Sequence, residues 1–105
     1  MNKKIINQIV EILKKELNPS RVFLFGSQAN GKVQKESDYD FVVVTKTPKK
    51  STVDEMGRIS VLIYDTLKVS ADIFIYSEKE FAEWKNEFSS IPEVALSTGQ
   101  EPSVL

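Results

Sequence analysis

The stretch Asp40-Phe41-Val42-Val43-Val44-Thr45 constrains this chain more than any other part of it. Four consecutive apolar, β-favouring residues leave a strand no polar side to turn toward water. Such a strand must be covered on both faces, so the fold needs layers above and below a small sheet. Two further strand signals accompany it. Arg21-Val22-Phe23-Leu24-Phe25 ends abruptly at Gly26-Ser27, and Val69 to Tyr76 is a second β-rich run.

Helical periodicity supplies the covering layers. Asn2 to Leu17 places Ile5, Ile9, Ile12 and Leu17 on one face, widened by Ile6, Val10 and Leu13, and Asn18-Pro19 stops it. Ser51 or Thr52 caps a helix from about Val53 to Leu67, with Val53, Met56, Ile59, Ile63 and Leu67 toward the core. Ser77 and Glu80 have capping-box spacing and open a helix whose Phe81, Trp84 and Phe88 read as core. Ile91-Pro92 restarts the helix, and Val94, Ala95 and Leu96 continue it. Gln28 to Lys35 fits a short helix or a loop, and Lys46, Lys49 and Lys50 fall in a solvated loop. The order is α-β-α-β-α-β-α, an α/β chain with three central strands whose directions this reading leaves open. Its 105 residues are expected to form a single domain spanning positions 1–105.

Composition narrows the chemistry. The chain has no Cys and no His, which excludes disulfide scaffolds, thiol nucleophiles, Cys/His zinc sites and histidine bases. Any resident metal must be a hard cation held by oxygen. The 14 basic and 15 acidic residues give a net charge of −1, unlike a broad sequence-independent nucleic-acid binder. No apolar run approaches a membrane span, and a cytoplasmic location is expected.

Three short features carry the chemistry. Asp38 and Asp40 sit at i and i+2 at the start of the buried strand, so their side chains share a face. Two neighbouring carboxylates repel unless a cation compensates. The plainer reading makes Asp38 a turn cap and Asp40 an exposed strand start. Gly26-Ser27 offers close backbone approach and a hydroxyl suited to a phosphate, or simply a strand-to-helix turn. Asp72 interrupts an apolar strand; it shares a site with the other acids, or it is solvated on a partly exposed face with Ser70, Phe74 and Tyr76.

Taken together, Gly26-Ser27, ten intervening residues, Asp38-Tyr39-Asp40 running into Phe41-Val42-Val43-Val44, and a later strand Asp72 resemble the nucleotidyltransferases of the DNA polymerase beta superfamily. More narrowly, the chain resembles the minimal nucleotidyltransferases, antitoxins paired with HEPN-domain toxins. The resemblance spans Val22 to Tyr76 by motif. It implies a small mixed central sheet flanked by helices, the polymerase-beta-like fold. It implies that Gly26 and Ser27 hold a triphosphate, with Asn30 and Lys32 nearby in the nucleotide site. It implies that Asp38, Asp40 and Asp72 form a two-metal magnesium site, with manganese as the alternative, and that all three are catalytic. ATP or another nucleoside triphosphate and a HEPN-domain toxin are the implied partners, with no direct nucleic acid and no membrane. One position departs from the family: the usual Ala-Arg-Gly step reads Ala29-Asn30-Gly31, leaving Lys32 to supply the charge or a weaker hold on phosphate.

The leading expectation is therefore an adenylyltransferase acting on a protein hydroxyl. A second is a binding module that neutralises its partner by masking an active site, for which Asn30 speaks and the retained acids do not. A third, transfer to a small molecule such as an antibiotic, lacks the added C-terminal domain of such relatives, since only about thirty residues follow Tyr76.

Overall fold

The computed structural model describes residues 3–25, 39–46, 52–88 and 90–101. Along them run α1 (Lys3–Leu17), β1 (Arg21–Phe25), β2 (Tyr39–Thr45), α2 (Thr52–Leu67), β3 (Ala71–Ser77), α3 (Glu78–Trp84) and α4 (Ile91–Thr98). The strands form one sheet in the order β1-β2-β3. β2 runs antiparallel to β1 and parallel to β3, so the sheet is mixed. A parallel pair needs a crossover, and α2 provides it. The helix or loop expected over residues 28–35 lies outside the described residues.

The Val strand is central and covered on both faces, as its composition demands. Tyr39, Phe41 and Val43 point into one cluster with α1 and α2, while Val42 and Val44 point into a second with Phe81 and Ala95. Phe41 is fully buried, which alone stabilises the fold by roughly 2–3 kcal/mol before entropy is counted.

The first layer follows the sequence periodicity. In α1, Ile6, Ile9, Val10, Leu13 and Leu17 are buried, and Ile5 and Ile12 pack against them. Asn18 ends the helix in the left-handed region (φ 47), and its N–H donates to the Lys14 carbonyl at 3.1 Å. In α2, Ile59 and Ile63 are buried and Met56 and Leu67 flank them. Val53 departs from expectation: it lies in the first turn, beyond the last residues that reach the sheet, and is exposed. Lys68 (φ 59) closes α2, donating its N–H to the Tyr64 carbonyl at 2.8 Å.

The second layer is thinner. The Ser77 hydroxyl accepts from the Glu80 N–H at 3.1 Å, and Glu80 accepts from the Ser77 N–H at 2.9 Å, completing the expected capping box. Phe81 stacks on Phe23 with ring centroids 5.5 Å apart. Trp84 and Phe88 are not core: they are 50% and 91% exposed. The reason is that α3 ends at Trp84, so the helical spacing linking Phe81 to Phe88 is never realised. Ser90 sets the restart, donating its hydroxyl to the Trp84 carbonyl at 2.6 Å and accepting from the Glu93 N–H at 3.2 Å.

The segment after α4 is tied to the outer edge of β1. Leu24 and Gln100 exchange two backbone hydrogen bonds of 2.7 Å. Gly99 permits this approach, because a Cβ there would meet the Ala95 carbonyl oxygen at 2.5 Å and that of Leu24 at 2.8 Å. Arg21 adds a two-pronged pair with Glu101 at 3.0 and 3.2 Å, which raises the arginine pKa. No described helix is long and apolar enough to cross a membrane.

Candidate active site

Strand register brings two of the three expected carboxylates together. Asp40 on β2 is the Cα partner of Asp72 on β3, and Phe25 on β1 is the partner of Asp40. Phe25, Asp40 and Asp72 thus form one row across the sheet. Neighbouring strands lie about 4.8 Å apart, so the two acidic positions are adjacent. Because side chains alternate along a strand, this row shares a face with Phe23, Val42 and Phe74 in the next row. That is the face covered by α3 and α4. Phe25 and Phe74 meet with ring centroids 6.0 Å apart and form the apolar floor beside the acids.

The cover stops short of this row. Val42 and Val44 are buried, whereas Asp40 is half-buried and Asp72 exposed. The row sits where β1 ends and β2 and β3 begin, at an open end of the sheet. Asp72 is exposed, as its solvated reading has it, and its position on β3 neighbours that of Asp40 on β2.

Gly26, Ser27, Asn30, Lys32 and Asp38 lie outside the described residues, as do Lys49 and Lys50. Among the described residues no group of three acidic side chains gathers as a metal cluster. The pair that is described fits a hard cation. Two carboxylate positions paired in register on one face offer oxygen donors, the ligand type that magnesium or manganese takes. Both arginines are engaged elsewhere, Arg21 by Glu101 and Arg58 by Glu16 and Glu55. The hydrogen bond that Arg58 donates to Glu16 is the main cause of its raised pKa.

A groove of about 330 Å³ adjoins the acids on the β3 side, lined by Ser60, Val61, Tyr64, Ser70, Ala71 and Asp72. The Ser60 hydroxyl donates to the Ala71 carbonyl at 2.9 Å and fixes α2 against the start of β3. Val61 and Tyr64 are 60% and 53% exposed. Sequence reasoning assigned Ser60 and Tyr64 no role. The only signal was that Val61 and Tyr64 are apolar on a helix whose core stripe is elsewhere.

The family profile described as polymerase beta, nucleotidyltransferase matches residues 7–91. The chain belongs to the polymerase beta nucleotidyltransferase family. Nucleotidyl transfer is accordingly its reaction class. A search among curated proteins finds no match. Solved structures share the fold. A toxin–antitoxin with AMP-PNP superposes with a TM-score of 0.69 at 16% identity, over 90% of this chain and 69% of that one. The tri-AMPylated HEPN toxin of Shewanella oneidensis in complex with its MNT antitoxin gives 0.64 at 13% identity, over 96% and 71%. A mutant of the toxin–antitoxin MntA–HpeT gives 0.68 at 13% identity, over 96% and 72%. The mixed sheet flanked by helices is thus the polymerase-beta-like fold implied by the motif resemblance.

Proposed function

We propose that this chain transfers AMP from ATP to a hydroxyl of a HEPN-domain toxin and so acts as an antitoxin in the cytoplasm, with residues 1–105 working as one domain. The observation that carries the reading is the register of Asp40 and Asp72 on neighbouring strands at an open end of the sheet. The fold likeness to complexes described as containing AMP-PNP or an AMPylated HEPN toxin supports the choice of nucleotide and acceptor.

Asp40 and Asp72, with Asp38, would hold the divalent cations, magnesium by the chemistry of the donors. When bound, these ions would neutralise charge on the transferring phosphoryl group and the leaving pyrophosphate. Gly26 and Ser27 would hold the triphosphate, with Asn30 and Lys32 beside it. The acceptor oxygen attacks the α-phosphorus; an oxygen–phosphorus bond forms and the bond to the bridging oxygen of pyrophosphate breaks. Asp72, the exposed member of the pair, takes the hydroxyl proton.

The test combines calorimetric ATP binding in magnesium with transfer of radiolabelled AMP to a purified HEPN-domain protein. Wild type is expected to bind and transfer, and Asp38→Asn/Asp40→Asn to do neither. The exposed Trp84 and Phe88 keep the masking reading in play, since they suit a standing complex. Toxin neutralisation that survives in the double variant would establish masking and overturn the catalytic reading.

A further inference from the structure

We infer that Phe25 and Phe74 are positioning residues for Asp40: their rings meet above β2 and hold its carboxylate toward the open end of the sheet, prepared for a divalent cation. This rests on the nucleotidyl-transfer reading given above and adds what orients its central acid.

Strand register shows how far the two rings reach. Phe25 lies on β1 beside Asp40, and Phe74 lies on β3 beside Val42. β2 runs between them. Their backbones are therefore two strand spacings apart, roughly 10 Å. Yet the ring centroids are 6.0 Å apart. Both side chains must lean inward over the central strand to meet. The residues of β2 that point to this face beneath them are Asp40 and Val42. The rings thus form a bar across β2, between the acid row and the apolar layer under α3 and α4. The ring pair of Phe23 and Phe81 links β1 to α3 instead of crossing the sheet.

Burial changes across that bar. Val42 is fully buried, whereas Asp40 is half-buried. Phe25 and Phe74 are themselves half-buried and pack against the cluster of Phe23, Val42, Phe81 and Ala95. The bar has a dry side and a wet side. A carboxylate turned back toward Val42 would meet the rings and lose water. The conformations left to it point to the open end, beside the position of Asp72. A side chain with fewer conformations to give up holds an incoming cation more tightly. An apolar wall also limits the access of water to the inner side of such a site.

The experiment measures Mn2+ affinity of the nucleotide-free protein by water-proton relaxation, beside calorimetric ATP binding in magnesium. Wild type is compared with Phe74→Leu, Phe74→Tyr and Ile91→Ala. Leucine keeps an apolar side chain too short to span β2, and tyrosine keeps the ring. Ile91→Ala thins the same layer at the start of α4, whose far end meets Leu24. Circular dichroism and urea denaturation check that each variant folds and by how much it is destabilised. Mn2+ affinity is expected to fall about tenfold in Phe74→Leu and to stay within about twofold of wild type in Phe74→Tyr and Ile91→Ala. Unchanged affinity in Phe74→Leu would overturn the positioning role, as would an equal fall in Ile91→Ala, which would trace the loss to stability. Unchanged Mn2+ affinity with weakened ATP binding would assign the rings to the nucleotide and overturn it too. If nucleotide-free wild type binds no Mn2+ but ATP binds in magnesium, the preparation of Asp40 is overturned and the transfer reading stands. If neither binds, the transfer reading fails and the positioning role falls with it.

Discussion

The two faces of the sheet are built from the same three strands but are finished differently. On one face α1 and α2 cover every row, and Tyr39 is buried at the same end of β2 where Asp40 begins the other face. On the other face, among the described residues, α3, of seven residues, and α4, of eight, cover two rows and not the third. The complete layer allows no charge. The incomplete layer is where two carboxylates are accommodated without full desolvation. Short helices on one side are thus part of why Asp40 and Asp72 stay within reach of water.

The difference can be broken most severely at the complete face. Phe41→Ala is expected to destabilise the protein by about 3–5 kcal/mol, since a fully buried aromatic leaves a cavity that both α1 and α2 border. Urea denaturation followed by circular dichroism measures it. A loss below about 1 kcal/mol would mean that this face collapses readily and is not the rigid support described.

At the open face the expectation reverses. Asp72→Asn should lower AMP transfer about a hundredfold or more while changing stability by less than about 0.5 kcal/mol. The substitution keeps the shape and removes one of two adjacent like charges, so stability is as apt to rise as to fall. Single-turnover transfer beside urea denaturation reads both. Equal loss of stability and activity would make Asp72 a structural residue.

Much of this division was legible in the residues. Phe41 to Val44 announced two-sided cover, the α1 stripe matched its periodicity, and Ser77 with Glu80 marked the start of α3. Asp72 was visible as a charge inside an apolar strand. The sequence offered Asp38 and Asp40 as its companions, but not the residue-to-residue pairing of Asp40 with Asp72, because the β2–β3 register depends on tertiary packing rather than local pattern. Phe88 misled for a related reason. Periodicity assumes that a helix continues, and the Ser90 hydroxyl taking up the Trp84 carbonyl favours a stop. Gly99 lies just past the end of α4. Its role in bringing Gln100 against Leu24 depends on a strand some seventy-five residues earlier in sequence.

That clamp offers a way to loosen the incomplete layer alone. Gly99→Ala puts a methyl group against two backbone oxygens, neither of which belongs to a flexible side chain. A destabilisation of about 1–3 kcal/mol is expected. Hydrogen exchange should rise in α4 and at Leu24 more than in α1. Uniform acceleration would show instead that the two layers unfold as one unit.

The smallest effect sharpens the comparison by being absent. Phe81 and Phe88 are seven residues apart, chemically identical and, by sequence, on one helical face. Phe81 is buried against Phe23, and Phe88 projects beyond the end of α3. Phe88→Ser should therefore alter stability by less than about 0.5 kcal/mol, the range of an ordinary surface change, as urea denaturation can resolve. A larger loss would place Phe88 against the described core in solution and extend the second layer past Trp84. A null result leaves Phe88 an aromatic ring in water, past the point where α3 stops contributing to the second layer.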